Sequence, residues 1–539
     1  MKKITVLTLI LVLVISLFAG CSQGKTSMSA TGGAGESGTL GANGSSAEKE
    51  VKTSLVIGVS SEFSNIVPMS NNVSVANTDG LVVFALYDPL LWWNSAEGKL
   101  EPHLATEWNI SDDGLEYTLK LREDVKFHNG YALTAEDVAF TYNLMDENPA
   151  VKSSQYPTFS HAEVIDTYTV KLVLDSPFAA FVNSLAAYHI GILSKDYFEE
   201  VGGWEAYQNA PVGSGPYQFV SRTVGSNIVM TANDSYWGGA PAIKDVTIKI
   251  ISDANSQLIS LENGEIDILI NGNLSNLMLM NANNGITWEA VDSDKTCMLM
   301  MNMCSEVIYS DENLRLAIAH AIDCDGINMV INGGYSKRAY GSGRPGITAR
   351  PMDEELNAPY PYDTAAAKDY LSKSNYKGQE IRVICQAGSS NETIAKAIQG
   401  NLQEVGINFQ VLAIDGGSFF SKYNSGQDYE CAITSFMPSL YDERALCQGM
   451  KSSATLFMNS VYPEGIQEWL LKCSEDADAS TDVTFRTETY KQVINYTNEH
   501  AINVPLYYVP ETIAYCEGLE NVHPISSLNY RISDWSWAQ

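Results

Sequence analysis

Seven histidines, nine cysteines and 64 aspartates and glutamates are the side chains of this 539-residue chain best suited to catalysis or metal binding. Their spacing decides what they can do. A hydrolase needs a nucleophile beside a base, and a metalloenzyme needs several ligands on one face. The chain has no G-x-S-x-G, H-E-x-x-H or P-loop pattern. G-x-G-x-x-G occurs at residues 33–38 and 341–346, but the first has no strand before it and Pro345 interrupts the second, so neither fits a dinucleotide fingerprint. His103, His128, His161, His189, His320, His500 and His523 are scattered singly. Cys297 and Cys304 bracket Met298-Leu299-Met300-Met301-Asn302-Met303, soft ligands that suit Cu(I), although the same run reads as a buried strand with flexible Met packing. The residue chemistry therefore gives no catalytic set and no metal or cofactor site.

The net charge is −31, which excludes a protein that coats nucleic acid and repels anionic membrane surfaces. A 45% hydrophobic content supports packed cores, and the length suggests about three domains. Lys2 and Lys3 precede an apolar run at residues 4–18, the pattern of a secretory signal and short for a membrane span. Leu17-Phe18-Ala19-Gly20-Cys21 resembles a bacterial lipobox, with Phe18 where Leu is more usual. We expect a signal peptide over residues 1–20, lipid on Cys21, and a Gly/Ser/Thr-rich tether over residues 21–52. The body would then sit at the outer face of the cytoplasmic membrane, exposed to the cell surface or a periplasm. Eight cysteines remain after Cys21; an even number in an exported chain suits disulfides, while the wide spacing without C-x-x-C suits buried free thiols.

The elements that must position a site come next. Residues 55–59 read as a strand and 75–87 as a helix ended by Asp88-Pro89. Residues 117–121, 168–174 and 246–250 alternate like strands, Thr134 caps a helix, and residues 392–405 form another. An α/β class follows. In order along the chain stand Glu101-Pro102-His103-Leu104-Ala105, Trp108, Asp112-Asp113-Gly114, Leu121-Arg122-Glu123, Val125-Lys126-Phe127-His128-Asn129-Gly130 and Leu133-Thr134-Ala135-Glu136-Asp137-Val138. Pro211-Val212-Gly213-Ser214-Gly215-Pro216-Tyr217, Asn233-Asp234-Ser235-Tyr236-Trp237-Gly238-Gly239, Gly264-Glu265-Ile266-Asp267, residues 314–323 and 402–407, and Val504-Pro505-Leu506-Tyr507-Tyr508 follow. This series resembles bacterial extracellular solute-binding protein family 5, the oligopeptide-, dipeptide- and nickel-binding lipoproteins of ABC transporters, over nearly all of residues 55–515.

The resemblance implies a type II periplasmic-binding-protein-like α/β fold of three lobes with a two-strand hinge. Lobe I would comprise residues 53–95, 211–296 and 508–539, lobe II an insertion at 96–210, and lobe III residues 297–507, with crossings near 296–303 and 504–510. It implies a monomeric, non-enzymatic receptor without a cofactor that captures a small solute by hinge closure and delivers it to a membrane permease. A peptide is the first expectation. A non-peptide solute, such as an oligosaccharide, an amino-acid derivative or a chelated metal, is the alternative, and an exported hydrolase a minor one. Since some relatives bind nickel or haem, His161, His189 and His500 stay open as ligands.

The family's cleft falls on Asn71, Asn72 and Val73 of lobe I, Tyr156 of lobe II, Ser435, Phe436, Met437 and Ser439 of lobe III, and Tyr507 or Tyr508. Two departures bear on the ligand: peptide binders of the family place an aspartate near Ser439 for the α-ammonium and an aromatic residue near Gly417, and this chain has neither. For a ligand with a free amine, Asp442 is the expected counter-charge, with Glu443 left to Arg444; the alternative places Asp442 in a solvated turn.

Overall fold

The structure is a computed structural model that describes residues 52–63, 66–69, 77–147, 152, 156–280, 285–437, 439–444, 466–526 and 529–539. Its main feature is a ten-stranded sheet. Across it the strands run Phe409–Ile414, Ile381–Gln386, Cys431–Phe436, Ile286–Met301, Asn503–Cys516, Ile268–Ile270, Ser54–Val59, Asp245–Ile250, Asn227–Ala232 and Tyr217–Thr223. Ser54–Val59 lies between two parallel neighbours, and Leu55, Ile57 and Val59 are buried, as a strand covered on both faces requires.

Ile286–Met301 and Asn503–Cys516 are much longer than their neighbours and join two halves of this sheet. Residues 286–292 pair with 510–516 in the half that holds Ile268–Ile270, and in the other half residues 296–300 pair with 503–508 and residues 296–301 with Cys431–Phe436. Between Asp292 and Thr296 the ladder is interrupted. This is the two-strand crossing of a type II fold, placed somewhat earlier than residues 296–303. The N-terminal part of the strand was hard to read because Thr287, Glu289 and Asp292 break its apolar run.

A separate four-stranded sheet is inserted in the first half, ordered Ala105–Ile110, Glu116–Leu121, Thr169–Leu174, Phe159–Asp166. Helix Ala135–Asn143 starts at the predicted N-cap Thr134, and the cap is a full capping box in which the Asp137 carboxylate accepts from the Thr134 backbone N–H. Helices elsewhere begin on Asp253, Asp311, Asp323, Asp363, Asp415 and Asp482, each accepting a backbone N–H. Part of the acidic excess is thus consumed locally at helix N-termini. Lys52, read as the end of the tether, belongs to the body: its Nζ lies 2.5 Å from Asp267 and 4.3 Å from the Trp537 ring centre.

The recurring sequence landmarks meet at one carboxylate. Asp88 is 2% exposed and accepts hydrogen bonds from His103 Nε2 (2.8 Å), Ser214 Oγ (2.9 Å), Tyr236 OH (2.9 Å) and Trp237 Nε1 (3.0 Å). Arg531 donates to the other His103 nitrogen, which leaves Nε2–H for Asp88. Gly213 and Gly215 let the next segment approach: a Cβ on them would stand 1.9 Å from the Leu86 carbonyl oxygen and 2.6 Å from that of Ala85. Burial pushes the Asp88 carboxyl up, but the bonds from His103, Trp237 and Ser214 outweigh it and hold the carboxyl below its ordinary value. The stability it contributes is therefore present above the unfolded value, roughly pH 4, and is lost as pH falls through the folded one. Asp88→Ala, which orphans four donors, should lower unfolding free energy by about 3–5 kcal/mol at pH 7. In urea titrations that deficit should shrink toward pH 3.

Candidate ligand cleft

Strand Cys431–Phe436 pairs along its whole length with residues 296–301. On its other edge Ile381–Gln386 reaches only Cys431 and Ala432, so from Ile433 to Phe436 that edge has no strand partner among the described residues. Ser435 is exposed there, and Phe436 and Met437 are half-buried. A short turn, Ser439–Tyr441, follows, in which Leu440 (φ 62°) and Tyr441 (φ 52°) both take left-handed backbone. Neither is glycine, so the conformation costs about 1–3 kcal/mol per residue and must be held by its surroundings.

The opposite half holds it. Leu440 is 5% exposed and sits in the core built by the first half and the inserted sheet. The Tyr441 ring stacks on Trp93 at 5.0 Å and 3°. Its carbonyl accepts from Thr348 N at 2.9 Å and from Asn183 Nδ2 at 3.4 Å, and Asn183 also donates to Thr348 Oγ1. The turn therefore latches the two halves together, using Trp93 after the first helix and Asn183 from the inserted segment.

The charges behind the latch are almost all paired. Arg486 donates to both oxygens of Asp442, at 2.6 and 2.7 Å, with both residues buried. Glu443 accepts from Ser342 Oγ and lies 3.6 Å from Arg350 Nε; burial pushes its carboxyl up to about 7 against the attraction of Arg350. Arg444 pairs with Asp478 at 3.4 Å and covers the Phe178 ring at 4.2 Å. At the crossing, Asp294 is buried against Arg344 at 3.2 Å, and Ser293 Oγ donates to the Val509 carbonyl.

Residues 99–456 match the sequence profile of bacterial extracellular solute-binding proteins, family 5 (middle region). The chain belongs to this family. It is 28% identical over 373 residues to the glutathione-binding protein GsiB of Pectobacterium atrosepticum, covering 67% of this chain and 69% of the relative. Among solved structures, NikA from Brucella suis with Fe(III)-EDTA superposes with a TM-score of 0.81 at 24% identity, covering 89% of this chain and 99% of NikA. DppA from Helicobacter pylori with the peptide STSA gives 0.75 at 24%, covering 91% and 99%. These superpositions establish the fold. Family 5 proteins are the extracellular or periplasmic receptors of ABC importers, and no described helix is long and apolar enough to cross a membrane.

In this family 5 protein the expected cleft residues scatter. Asn71, Asn72, Val73 and Cys21 lie outside the described residues. Ser435, Phe436 and Met437 lie on the open-edged segment, and Ser439 opens the latch turn. Tyr156 is fully buried in the inserted lobe, against Tyr142 and Phe181, with its hydroxyl donating to the Ser184 carbonyl. Tyr507 is buried opposite Cys297. Tyr508 is buried too; its hydroxyl donates to Asp353 at 2.8 Å and borders a cavity of about 730 Å³ with Asp292, Lys337, Arg344 and His523.

Asp442 corrects both readings made for it, since it is neither solvated nor free for a ligand amine. Glu443 is likewise held by Ser342 and Arg350, not by Arg444. His161 pairs with Glu163 and His500 with Glu312, while burial lowers His189 to about 4. The described cysteines are free thiols; Cys447 lies outside them. Cys297 through Met301 form a buried strand, as the packing alternative has it. Sequence reasoning missed Trp93, Leu440 and Tyr441, and also Lys295 and Glu511 in the crossing strands. The last two stand one residue outside the runs read as crossings, 296–303 and 504–510.

If Asp442 is a structural partner of Arg486, Arg486→Leu should lower the ligand-free unfolding free energy by about 3–5 kcal/mol, because it strands a buried carboxylate. Asp442→Asn should destabilise the ligand-free protein in the same denaturant titration. An aspartate reserved for ligand would leave that measurement unchanged.

Proposed function

We propose that this receptor captures a short peptide between the two halves of its large sheet and presents it, from a lipid anchor on Cys21, to a membrane permease. The observation that carries the peptide reading is the open edge of residues 433–436. An extended peptide can add to such an edge through main-chain hydrogen bonds, with Phe436 and Met437 flanking its side chains. Asn71, Asn72 and Val73 belong to the opposite wall in this reading. The ligands named for GsiB and DppA, glutathione and a tetrapeptide, are of the same class.

Capture proceeds by closure about residues 293–295. Ligand bound between the halves favours the latched state, in which Leu440 and Tyr441 dock on the first half. The protein acts as a monomer. A panel of di- to pentapeptides should contain members that raise the melting temperature with increasing concentration. The same members should shrink the radius of gyration in small-angle scattering. A panel that leaves both unchanged, while an oligosaccharide or metal chelate shifts them, moves the ligand to the non-peptide class. Cys21→Ala should release the protein into the medium or leave it uncleaved, as fractionation and mass spectrometry of the N-terminus will read, with peptide binding by the body unaltered.

A further inference from the structure

The latch lies on one face of the large sheet, and a second contact between the halves lies on the other. In the first half Ile513 shares a core with Leu440 of the latch, while the next residue, Ala514, shares a core on the opposite face with Leu277 of helix Leu274–Met278. In the second half the Tyr508 hydroxyl meets Arg350 and Asp353 behind the latch, whereas Tyr507 faces Cys297 and Asn332 of helix Cys324–Asn332. The two helices therefore share the back of the crossing. There Ser275 Oγ donates to the Ile331 carbonyl at 3.2 Å, and the Trp288 and Tyr335 ring centres stand 5.4 Å apart. The Met278 methyl packs on Gly333, where a Cβ would stand 2.2 Å from it.

Around this small contact the surface is apolar and uncovered. Leu279 is 84% exposed, the most exposed large apolar side chain among the described residues, and Val330 is 69% exposed. Met278, Met329 and Tyr335 are exposed beside them, with Met329 lying over Gly334, the neighbour of the residue that Met278 touches. No charge stands between Asp267 and Met280 or between Asp325 and Lys337, although charged residues make up 18% of the chain. Bringing these two segments together desolvates no ionised group of their own. The hinge supplies the motion. A rotation about residues 293–295 that parts Tyr441 from Trp93 on the front closes the angle between the halves on the back.

We propose that Met278 and Leu279 of the first half close on Met329, Val330 and Tyr335 of the second when the latch opens, so that this back contact holds the ligand-free protein open in competition with the latch. The proposal rests on the closure reading above for the motion, and not on the class of ligand. It gives the open state an apolar contact of its own. The resting ratio of open to latched molecules is then set by two small interfaces of opposite effect, one on each face of the crossing.

The test is hydroxyl-radical footprinting, read by mass spectrometry, on the full chain after dialysis in mild denaturant to strip solute. Phe178, which Arg444 of the other half covers, reports on the front, and Met278, Met329 and Tyr335 report on the back. Tyr441→Gly weakens the latch, so oxidation of Phe178 should rise above wild type while that of the three back residues falls. Adding Leu279→Ser and Val330→Ser to this variant should move the ratio of open to latched molecules about 10-fold back toward the latched form and protect Phe178 again. Adding Val164→Ser and Val224→Ser, at exposed valines elsewhere on the surface, should change nothing. A cooperative melt checks each fold, and Tyr441→Asn, which also accepts left-handed backbone, replaces Tyr441→Gly if that melt is lost. If Phe178 becomes reactive while the back residues stay as in wild type, or if the two serines at 279 and 330 act like those at 164 and 224, the back contact is overturned and hinge closure stands. If Phe178 and the back residues all stay as in wild type, the halves do not part, and the closure reading falls together with the proposal.

Discussion

Two strands carry the chain between the halves of the large sheet, and their ladder is interrupted at residues 293–295. Across the interruption the backbone is tied by Ser293 to Val509 and by Asp294 to Arg344, not by regular pairing. The angle between the halves is thus set mainly by the contacts made across the gap. The latch supplies such contacts. Burying Leu440 is worth about 1.5–3 kcal/mol and the Trp93–Tyr441 stack about 0.5–1.5. Two left-handed residues cost about 1–3 kcal/mol each. These opposing terms are of similar size, so the latch by itself adds little net stability to the arrangement of the two halves.

Charge is organised around this latch. Some acidic residues cap helices and others pair with arginine, and the arginine pairs of Asp442, Glu443 and Asp478 fix the loops behind the latch. Asp442 shows why they are needed: it follows two strained residues, and the two hydrogen bonds it accepts from Arg486 anchor the far end of the turn. Replacing such a pair with apolar residues can leave stability unchanged, but removing one member strands the other. Its benefit here is positional, since it determines where Tyr441 meets Trp93.

Much of the fold was legible because its determinants are local or sit in long ordered motifs. Thr134 caps its helix as expected, and Leu55, Ile57 and Val59 are buried as a strand run should be. The crossing was read slightly late because Thr287, Glu289 and Asp292 obscure the start of a sixteen-residue strand. Tyr156 shows the limit of carrying a position over by alignment. It fills a core beside Phe181 here, and no local pattern separates a tyrosine that covers a ligand from one that fills a core. Asp442 was misplaced for a related reason: its partner Arg486 is 44 residues away, and pairing at that separation has no local signal.

The residues that identify the family and those that touch a ligand answer to different constraints. His103, Ser214, Tyr236 and Trp237 converge on Asp88, and Gly213 and Gly215 are required by the carbonyls of the first helix. These are demands of one half's interior, the same whatever the solute, so they make the chain recognisable without saying what it binds. The open edge of residues 433–436 and the contact of Leu440 and Tyr441 with the first half lie where the halves meet. Ile433, Trp93 and Leu440 are core residues there, whereas Ser435 is exposed and Phe436 and Met437 are half-buried, so a change at the latter three disturbs packing least. That separation is why the landmark series around Asp88 makes the chain recognisable although Ser439 stands where an aspartate is expected.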